Sequence, residues 1–297
     1  MLQTLFRKRP ANDNFAVDAF IQEAYRAVLG READDDGLVH FRKAIASGTL
    51  TPITLLENLR NSEENQRHGL RLSSPLNCIH EARKRMVRML PSVDTIVDLG
   101  GAAQGFDAGA MILMGYPYNF KTLTIVEAPR DQRHDIYKNV CLTDSVTSVD
   151  TGRGMVHYLF RSMGDLQPIP DASVDMVFSG ESIEHVTRDE CERVFQEAWR
   201  VLKPGGQFCL DTPNRDITRI QVPDGFINPD HKWEYTHAEM KEIINRHHFT
   251  IQEQKGLIWM PQTARERQFK AEELILNVGI YDDIERCYLL YYRCVKN

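Results

Sequence analysis

The sequence predicts an α/β protein: a doubly wound, mostly parallel sheet of seven strands, preceded by a small all-α domain. Three observations predict it. From residue 94 onward, short apolar and β-branched runs alternate with amphipathic helical stretches, the pattern of a parallel sheet wrapped by helices. The first of these runs enters the loop Gly100-Gly101-Ala102-Ala103-Gln104-Gly105, a strand-to-helix turn in which a backbone can approach a ligand closely. Before residue 73, apolar residues recur only at helical spacing.

Length and composition fit this organisation. The 297 residues suit one large and one small domain at roughly 100–200 residues per domain. The division predicted is a disordered tail over 1–14, a helical domain over 15–72 and the α/β domain over 73–297. A net charge of -6 argues against a long nucleic-acid footprint, which needs clustered Lys and Arg, so DNA is not an expected partner. Six scattered cysteines without a C-x-x-C read as buried free thiols in a reducing compartment. Arg7, Lys8 and Arg9 are followed by no apolar h-region, and no run approaches the ~20 apolar residues of a membrane span. A cytoplasmic protein is the expectation.

In the first domain, Val17, Phe20, Ile21, Ala24, Tyr25, Val28 and Leu29 make one helical stripe, stopped by Gly30. Asp34 to Asp36 offer capping carboxylates to a second helix bearing Leu38, Phe41 and Ile45, closed by Gly48. Thr51-Pro52 opens a third, with Leu55, Leu56 and Leu59. Ser74-Pro75 starts another, with Leu76, Ile79, Met86 and Leu90 inward and Arg83, Lys84, Arg85 and Arg88 outward.

The seven strands predicted are Thr95 to Leu99, Thr122 to Val126, Val156 to Phe160, Val174 to Phe178, Gln207 to Asp211, Phe249 to Ile258 and Cys287 to Val295. A helix from Arg188 to Leu202 leads into Lys203-Pro204-Gly205-Gly206. Ligands in such a fold bind at the carboxyl ends of the strands. After the fourth strand comes Ser179-Gly180-Glu181-Ser182-Ile183-Glu184-His185. On a helical turn Glu181, Glu184 and His185 sit at i, i+3 and i+4 and stack two carboxylates and an imidazole on one face. That trio is half a divalent-metal site or a charged helix start. The stretch 139–154 carries no assignable pattern.

Two resemblances add to this reading. Tyr25-Arg26-Ala27-Val28-Leu29-Gly30-Arg31-Glu32-Ala33, with Asp36-Gly37-Leu38 and Asn61-Ser62-Glu63-Glu64, resembles a small helical bacterial domain of unknown function found beside glycan-modifying enzymes. It implies a docking module for a second copy or for glycan-assembly enzymes. Val97-Asp98-Leu99-Gly100, Glu127, Asp165 and Ala198 to Gly206 resemble class I S-adenosylmethionine-dependent methyltransferases. That resemblance implies S-adenosyl-L-methionine as cofactor. Asp98 would meet its ammonium and Gly100, Gly101 and Gly105 its amino-acid portion. Glu127 would take the ribose hydroxyls, and Asp165 with Leu166 the adenine; Ser179 counts with them. Glycines usual in the family are replaced by Ala102 and Gln104, and a left-handed backbone at Ala102 would be strained.

The E-x-x-E-H element and the later Asp230-His231-Lys232-Trp233-Glu234 segment are similar to metal-dependent methyltransferases of sugar hydroxyls, those of small-RNA 3′ ends among them. By that similarity Glu181, Glu184, His185 and His231 would bind a divalent ion, magnesium or manganese first. His185, His231 or Glu234 would serve the proton transfer, with bulk water as an alternative. The expected acceptor is a sugar of a bacterial surface glycan, such as an O-antigen. The alternatives are an RNA 3′-terminal 2′-hydroxyl, a catechol-like small molecule, or a cofactor-fold module without catalysis.

Overall fold

The computed structural model describes residues 13–68, 75–133, 147–267 and 271–297. The tail over 1–12, the Ser74 cap and residues 139–146 of the unassigned stretch lie outside the described residues. The chain forms two compact units. One comprises 1–79 with 268–278, the other 80–267 with 279–297. The boundary lies seven residues beyond the predicted one (79 against 72), and the later segment 268–278 returns to the helical unit instead of staying in the α/β domain.

In the helical unit, α1 (Asp13–Leu29), α2 (Asp35–Ala46), α3 (Pro52–Arg60) and α4 (Glu63–His68) follow one another. Asp34 caps α2 by accepting from Gly37 N–H, and Thr51 with Thr54 forms a capping box on α3. Ile21, Ala24, Tyr25 and Val28 of α1 and Leu55, Leu56 and Leu59 of α3 are buried. α11 (Ala271–Leu276), unforeseen in the sequence, packs on α3 and buries Leu274 and Ile275. Helix α5 (Pro75–Val87) spans the boundary residue.

The second unit is built on one nine-stranded sheet, ordered β3-β4-β2-β1-β5-β6-β9-β7-β8. The seven predicted strands are its centre: β1 (Thr95–Leu99), β2 (Thr122–Glu127), β4 (Met155–Phe160), β5 (Val174–Gly180), β6 (Leu202–Pro213), β7 (Phe249–Trp259) and β9 (Cys287–Lys296). Two short edges add β3 (Ser148–Asp150) and β8 (Ile280–Tyr281). β4, β2, β1, β5 and β6 run parallel, and β9 inserts antiparallel between β6 and β7. The central strands are covered on both faces, so β1 and β5 read as near-continuous apolar runs.

Helices α6 (Ala110–Leu113), α7 (Arg188–Val201), α8 (Arg215–Gln221), α9 (His237–Arg246) and α10 (Gln262–Arg265) complete this unit. α7 buries Cys191, Val194, Phe195, Ala198 and Val201, a 3.6-residue stripe. That stripe joins Phe208, Leu210, Leu290 and Tyr292 of the sheet and Met240, Ile243 and Ile244 of α9 in one core. Between β5 and β6 the register shifts: Val174 pairs with Leu202, but Met176 with Gln207. The Lys203–Gly206 segment therefore bulges out, with Gly205 at φ 76.

Two side chains of α5 differ from expectation. Leu76 is 57% exposed, and Arg83, predicted to face outward, is buried. No helix among the described residues is long and apolar enough to cross a membrane.

Candidate active site

The carboxyl ends of β1, β2, β4, β5 and β6 form one edge. At β1, Asp98 is buried and its Oδ2 has no hydrogen-bond partner. Burial pushes its pKa up to about 7, against the pull of Arg83. Gly100 N–H donates to the carbonyl of Val126 (2.8 Å), and Gly101 carbonyl accepts from Ala110 N–H (2.7 Å), so the loop arches over Asp98. A Cβ on Gly101 would lie 2.1 Å from Asp98 Oδ2, so only glycine fits against that carboxylate. Gly100 and Gly105 are left-handed; Ala102 is not, so its substitution carries no such strain.

Glu127 ends β2 and is largely buried; it accepts from Ala128 N–H (3.1 Å) and lies 3.8 Å from Arg133 Nε. Burial raises its pKa, while Arg133 and the amides of Ala128 and Ala102 oppose the rise. Asp165, half exposed on the loop after β4, pairs with Arg161 at 2.9 Å. Leu166 is fully buried in the core instead of flanking an open cleft. Ser179 ends buried in β5, its hydroxyl without a hydrogen-bond partner.

After β5 the chain makes a short 3₁₀ turn, Ile183–His185, where an α-helical start was expected. The turn brings Glu184 and His185 to one place. His231 joins them because its segment is fastened to the same turn: Lys232 and Trp233 N–H both donate to Glu184 carbonyl (2.7 and 3.2 Å). Asn214, at the end of β6, anchors the far side of that segment. Its side chain donates to the carbonyls of Glu285 and Cys287, and it bridges to Tyr235. One ligand atom from each of Glu184, His185 and His231 lies within 4.8 Å of the others.

The donor set suits a divalent cation. His185 Nδ1 bonds Asp230 Oδ2 (2.8 Å), and His231 Nδ1 bonds Glu234 Oε1 (2.6 Å). A carboxylate on Nδ1 fixes the ring and makes Nε2 the ligating nitrogen, the usual outer arrangement of a metal-binding histidine. Burial first, then the neighbouring His231 ring, lowers the pKa of His185, which keeps it in the neutral form a metal needs. Glu184 is fully buried; Oε2 accepts from Thr212 Oγ1 (2.9 Å), whereas Oε1 has no partner. Burial and the nearby Glu181 push its pKa well above the usual carboxylate range. A buried carboxyl oxygen without a partner is costly unless a ligand completes it.

Two expected roles change. Glu181 stands outside the cluster: at φ 47 its carboxylate turns to Arg83 Nη1 (3.1 Å), whose Nε holds Asp211 Oδ1 at 2.7 Å. Glu234 is no proton acceptor exposed to an acceptor molecule. It is buried and takes bonds from His231, Thr218 Oγ1 and Ile227 N–H. Burial would raise its pKa, but the bonds from His231 and Thr218 outweigh it and leave the group lowered. It is a positioning residue for His231. The sequence reading missed Asp230 and Arg83.

The comparisons agree with this architecture. A methyltransferase domain model matches residues 135–210, and a domain of unknown function, DUF4214, matches 1–69. A protein of Mycolicibacterium smegmatis described as a probable S-adenosylmethionine-dependent methyltransferase is 41% identical over 90 residues, 30% of this chain and 34% of that protein. A similarly described protein of Mycobacterium tuberculosis is 39% identical over 77 residues, 26% of this chain and 27% of its own length. The chain thus spans about a third or less of the curated relatives it matches. A SAM-dependent methyltransferase from Thermotoga maritima superposes with a TM-score of 0.51 at 17% identity, covering 74% of this chain and 89% of that one. A methyltransferase complexed with the Haloferax volcanii Trm112 activator gives 0.50 at 21%, covering 73% and 89%. The sheet unit thus has the fold of S-adenosylmethionine-dependent methyltransferases, and its residues 135–210 match a methyltransferase domain.

Proposed function

We propose that the chain is a divalent-metal-dependent O-methyltransferase that uses S-adenosylmethionine to methylate a sugar hydroxyl of a bacterial surface glycan. One observation carries the metal part: Glu184, His185 and His231 converge, each imidazole is held at Nδ1 by a carboxylate, and Glu184 Oε1 is buried without a partner. The glycan part rests on the resemblance of the helical domain to one found beside glycan-modifying enzymes. On this reading that unit docks a second copy or another enzyme of glycan assembly.

The chain's own residues divide the work. Asp98 receives the ammonium of the cofactor, Glu127 its ribose hydroxyls, and the Gly100–Gly101 backbone clears their path. Bound S-adenosylmethionine supplies an electrophilic methyl group on its sulfonium. Glu184, His185 and His231 would hold magnesium or manganese, and Asp230 and Glu234 keep both rings oriented. A bound divalent ion would supply Lewis acidity, which lowers the pKa of a coordinated water and acts likewise on an alcohol. With Glu234 committed to His231, and both imidazoles engaged at Nδ1 by a carboxylate and at Nε2 by the ion they would hold, the acceptor proton leaves to solvent.

Two experiments test this. Glycans from cells with and without the gene should differ in mass by one methyl group. His231→Ala and Glu184→Ala should each lower methyl transfer by about a hundredfold or more, with cofactor affinity kept. Full activity of both variants in chelator-treated buffer would refute the metal assignment. An RNA 3′ end in place of the glycan would show as salt-sensitive RNA binding.

A further inference from the structure

We propose that Tyr288 is an acceptor-binding residue: its phenol donates a hydrogen bond to a hydroxyl of the bound sugar adjacent to the hydroxyl that is methylated. The inference rests on the metal-assisted sugar reading above and names the residue that orients the acceptor. Four observations lead to it.

The first is register. β9 runs antiparallel to β6 with Leu290 opposite Thr212 and Leu289 opposite Pro213. The pairing continues one step further, where Asn214 N–H donates to Tyr288 carbonyl (2.8 Å). Directly opposed residues share a face, and so do residues two apart on a strand. Tyr288 therefore stands on the face of Leu290 and Thr212, at the carboxyl edge of β6. Thr212 is the residue that bonds Glu184.

The second is surroundings. The charges acting on the Tyr288 phenol are those of Glu181, Glu234 and Glu184, which come from the turn after β5 and from the His231 segment. Third, Tyr288 is partly open while both neighbours, Cys287 and Leu289, are fully buried. The strand is thus partly exposed at this side chain. Fourth, among the described residues its hydroxyl makes no hydrogen bond. A partly open tyrosine hydroxyl without a protein partner is available to a ligand or water.

Chemistry selects the ligand. Burial, reinforced by the three carboxylates, keeps the phenol protonated, so it donates. The phenol then offers one neutral donor beside the cation site, and a sugar hydroxyl next to the methylated one can accept from it. On this reading the acceptor is a polyol at the point of contact.

The test uses the full chain loaded with Mn2+ and S-adenosylhomocysteine, with methyl α-D-mannopyranoside as the probe diol. Binding is followed by water-proton relaxation at the ion. Tyr288→Phe should weaken the sugar about five- to tenfold, the value of one lost hydrogen bond, with Mn2+ and S-adenosylhomocysteine affinities within about twofold of the unaltered protein. Tyr292→Phe is the control on the same strand, because its hydroxyl bonds His237 instead; it should leave sugar affinity unchanged. Sugar affinity equal in Tyr288→Phe and the unaltered protein would overturn the proposal. So would a loss of Mn2+ affinity matching the loss of sugar affinity, which would make Tyr288 a support of the ion. If the unaltered protein binds Mn2+ but shows no response to the mannoside, the neutral-sugar reading falls and this inference with it, while the metal site stands.

Discussion

Asp98 joins a sequence position to a pH profile. Its folded pKa is about 7 against an ordinary 3.8. In its proposed role it must release its proton before it can pair with the ammonium of the cofactor. S-adenosylmethionine affinity should therefore rise with pH up to about 7 and level off above, falling up to about tenfold per unit below it. Calorimetry at pH 6, 7 and 8 checks this; Asp98→Asn should bind weakly throughout and lose the slope, and a flat profile in the unaltered protein would contradict it. Without cofactor the same shift has the opposite sign for stability. The folded state keeps a proton that the unfolded chain releases, so this contribution falls as pH rises from 3.8 to about 7. Arg83 is the second such residue. Arg83→Met strands Asp211 and Glu181 and should cost about 3–5 kcal/mol, read as a lowered unfolding midpoint; an unchanged midpoint would show that the buried pair adds nothing. Its burial was legible. Arg83 lies four residues after Ile79 and three before Met86, on the apolar stripe of α5, but Lys84, Arg85 and Arg88 drew it into the charged face. Asp230 was legible too, since carboxylates beside a candidate ligand histidine are the usual outer support. That Glu181 would choose Arg83 over the cluster depends on side-chain directions that spacing does not carry.

At the scale of elements, the seven central strands were legible because buried parallel strands are continuous apolar runs. The two edges were not. β3 exposes its ends, and β8 has two residues, so both exist through ladder hydrogen bonds and carry no side-chain pattern. α9 opens on Thr236 and Glu239, which form a capping box in the structure. The 3₁₀ turn at Ile183–His185 was read as the start of an α-helix because E-x-x-E-H fits either geometry. The element that assembles the site is the strap from Ile227 to Tyr235, tied to Asn214 at one end and to Glu184 carbonyl in the middle. Asn214→Ala removes the two bonds to Glu285 and Cys287 carbonyls and should cost about 1–3 kcal/mol. It should also weaken Mn2+ binding, because His231 rides on that strap. A stability loss with metal affinity intact would show that the strap is held without Asn214.

At the scale of the molecule, the chain is not a helical head followed by a catalytic body. Residues 268–278 leave the sheet unit between β7 and β8 and return to the helical unit, where Leu274, Ile275 and Val278 are buried. A chain beginning at residue 73 would leave these side chains without α3. It should be less soluble than the full chain, and changing Leu274 and Ile275 to polar residues should restore solubility; equal solubility without those changes would contradict this division. The sequence placed the boundary near residue 72 because periodicity changes there, whereas the returning segment is short and lies next to residues of the other unit in the chain. A cation held by two distant parts of the sequence is the centre of the proposed function. Manganese titration of the full chain by electron paramagnetic resonance tests it most directly. The prediction is one ion per chain, bound about a hundredfold more weakly by His231→Ala and by Glu184→Ala and unchanged by Glu127→Ala. No binding by the unaltered protein, or equal binding by all four, would contradict it.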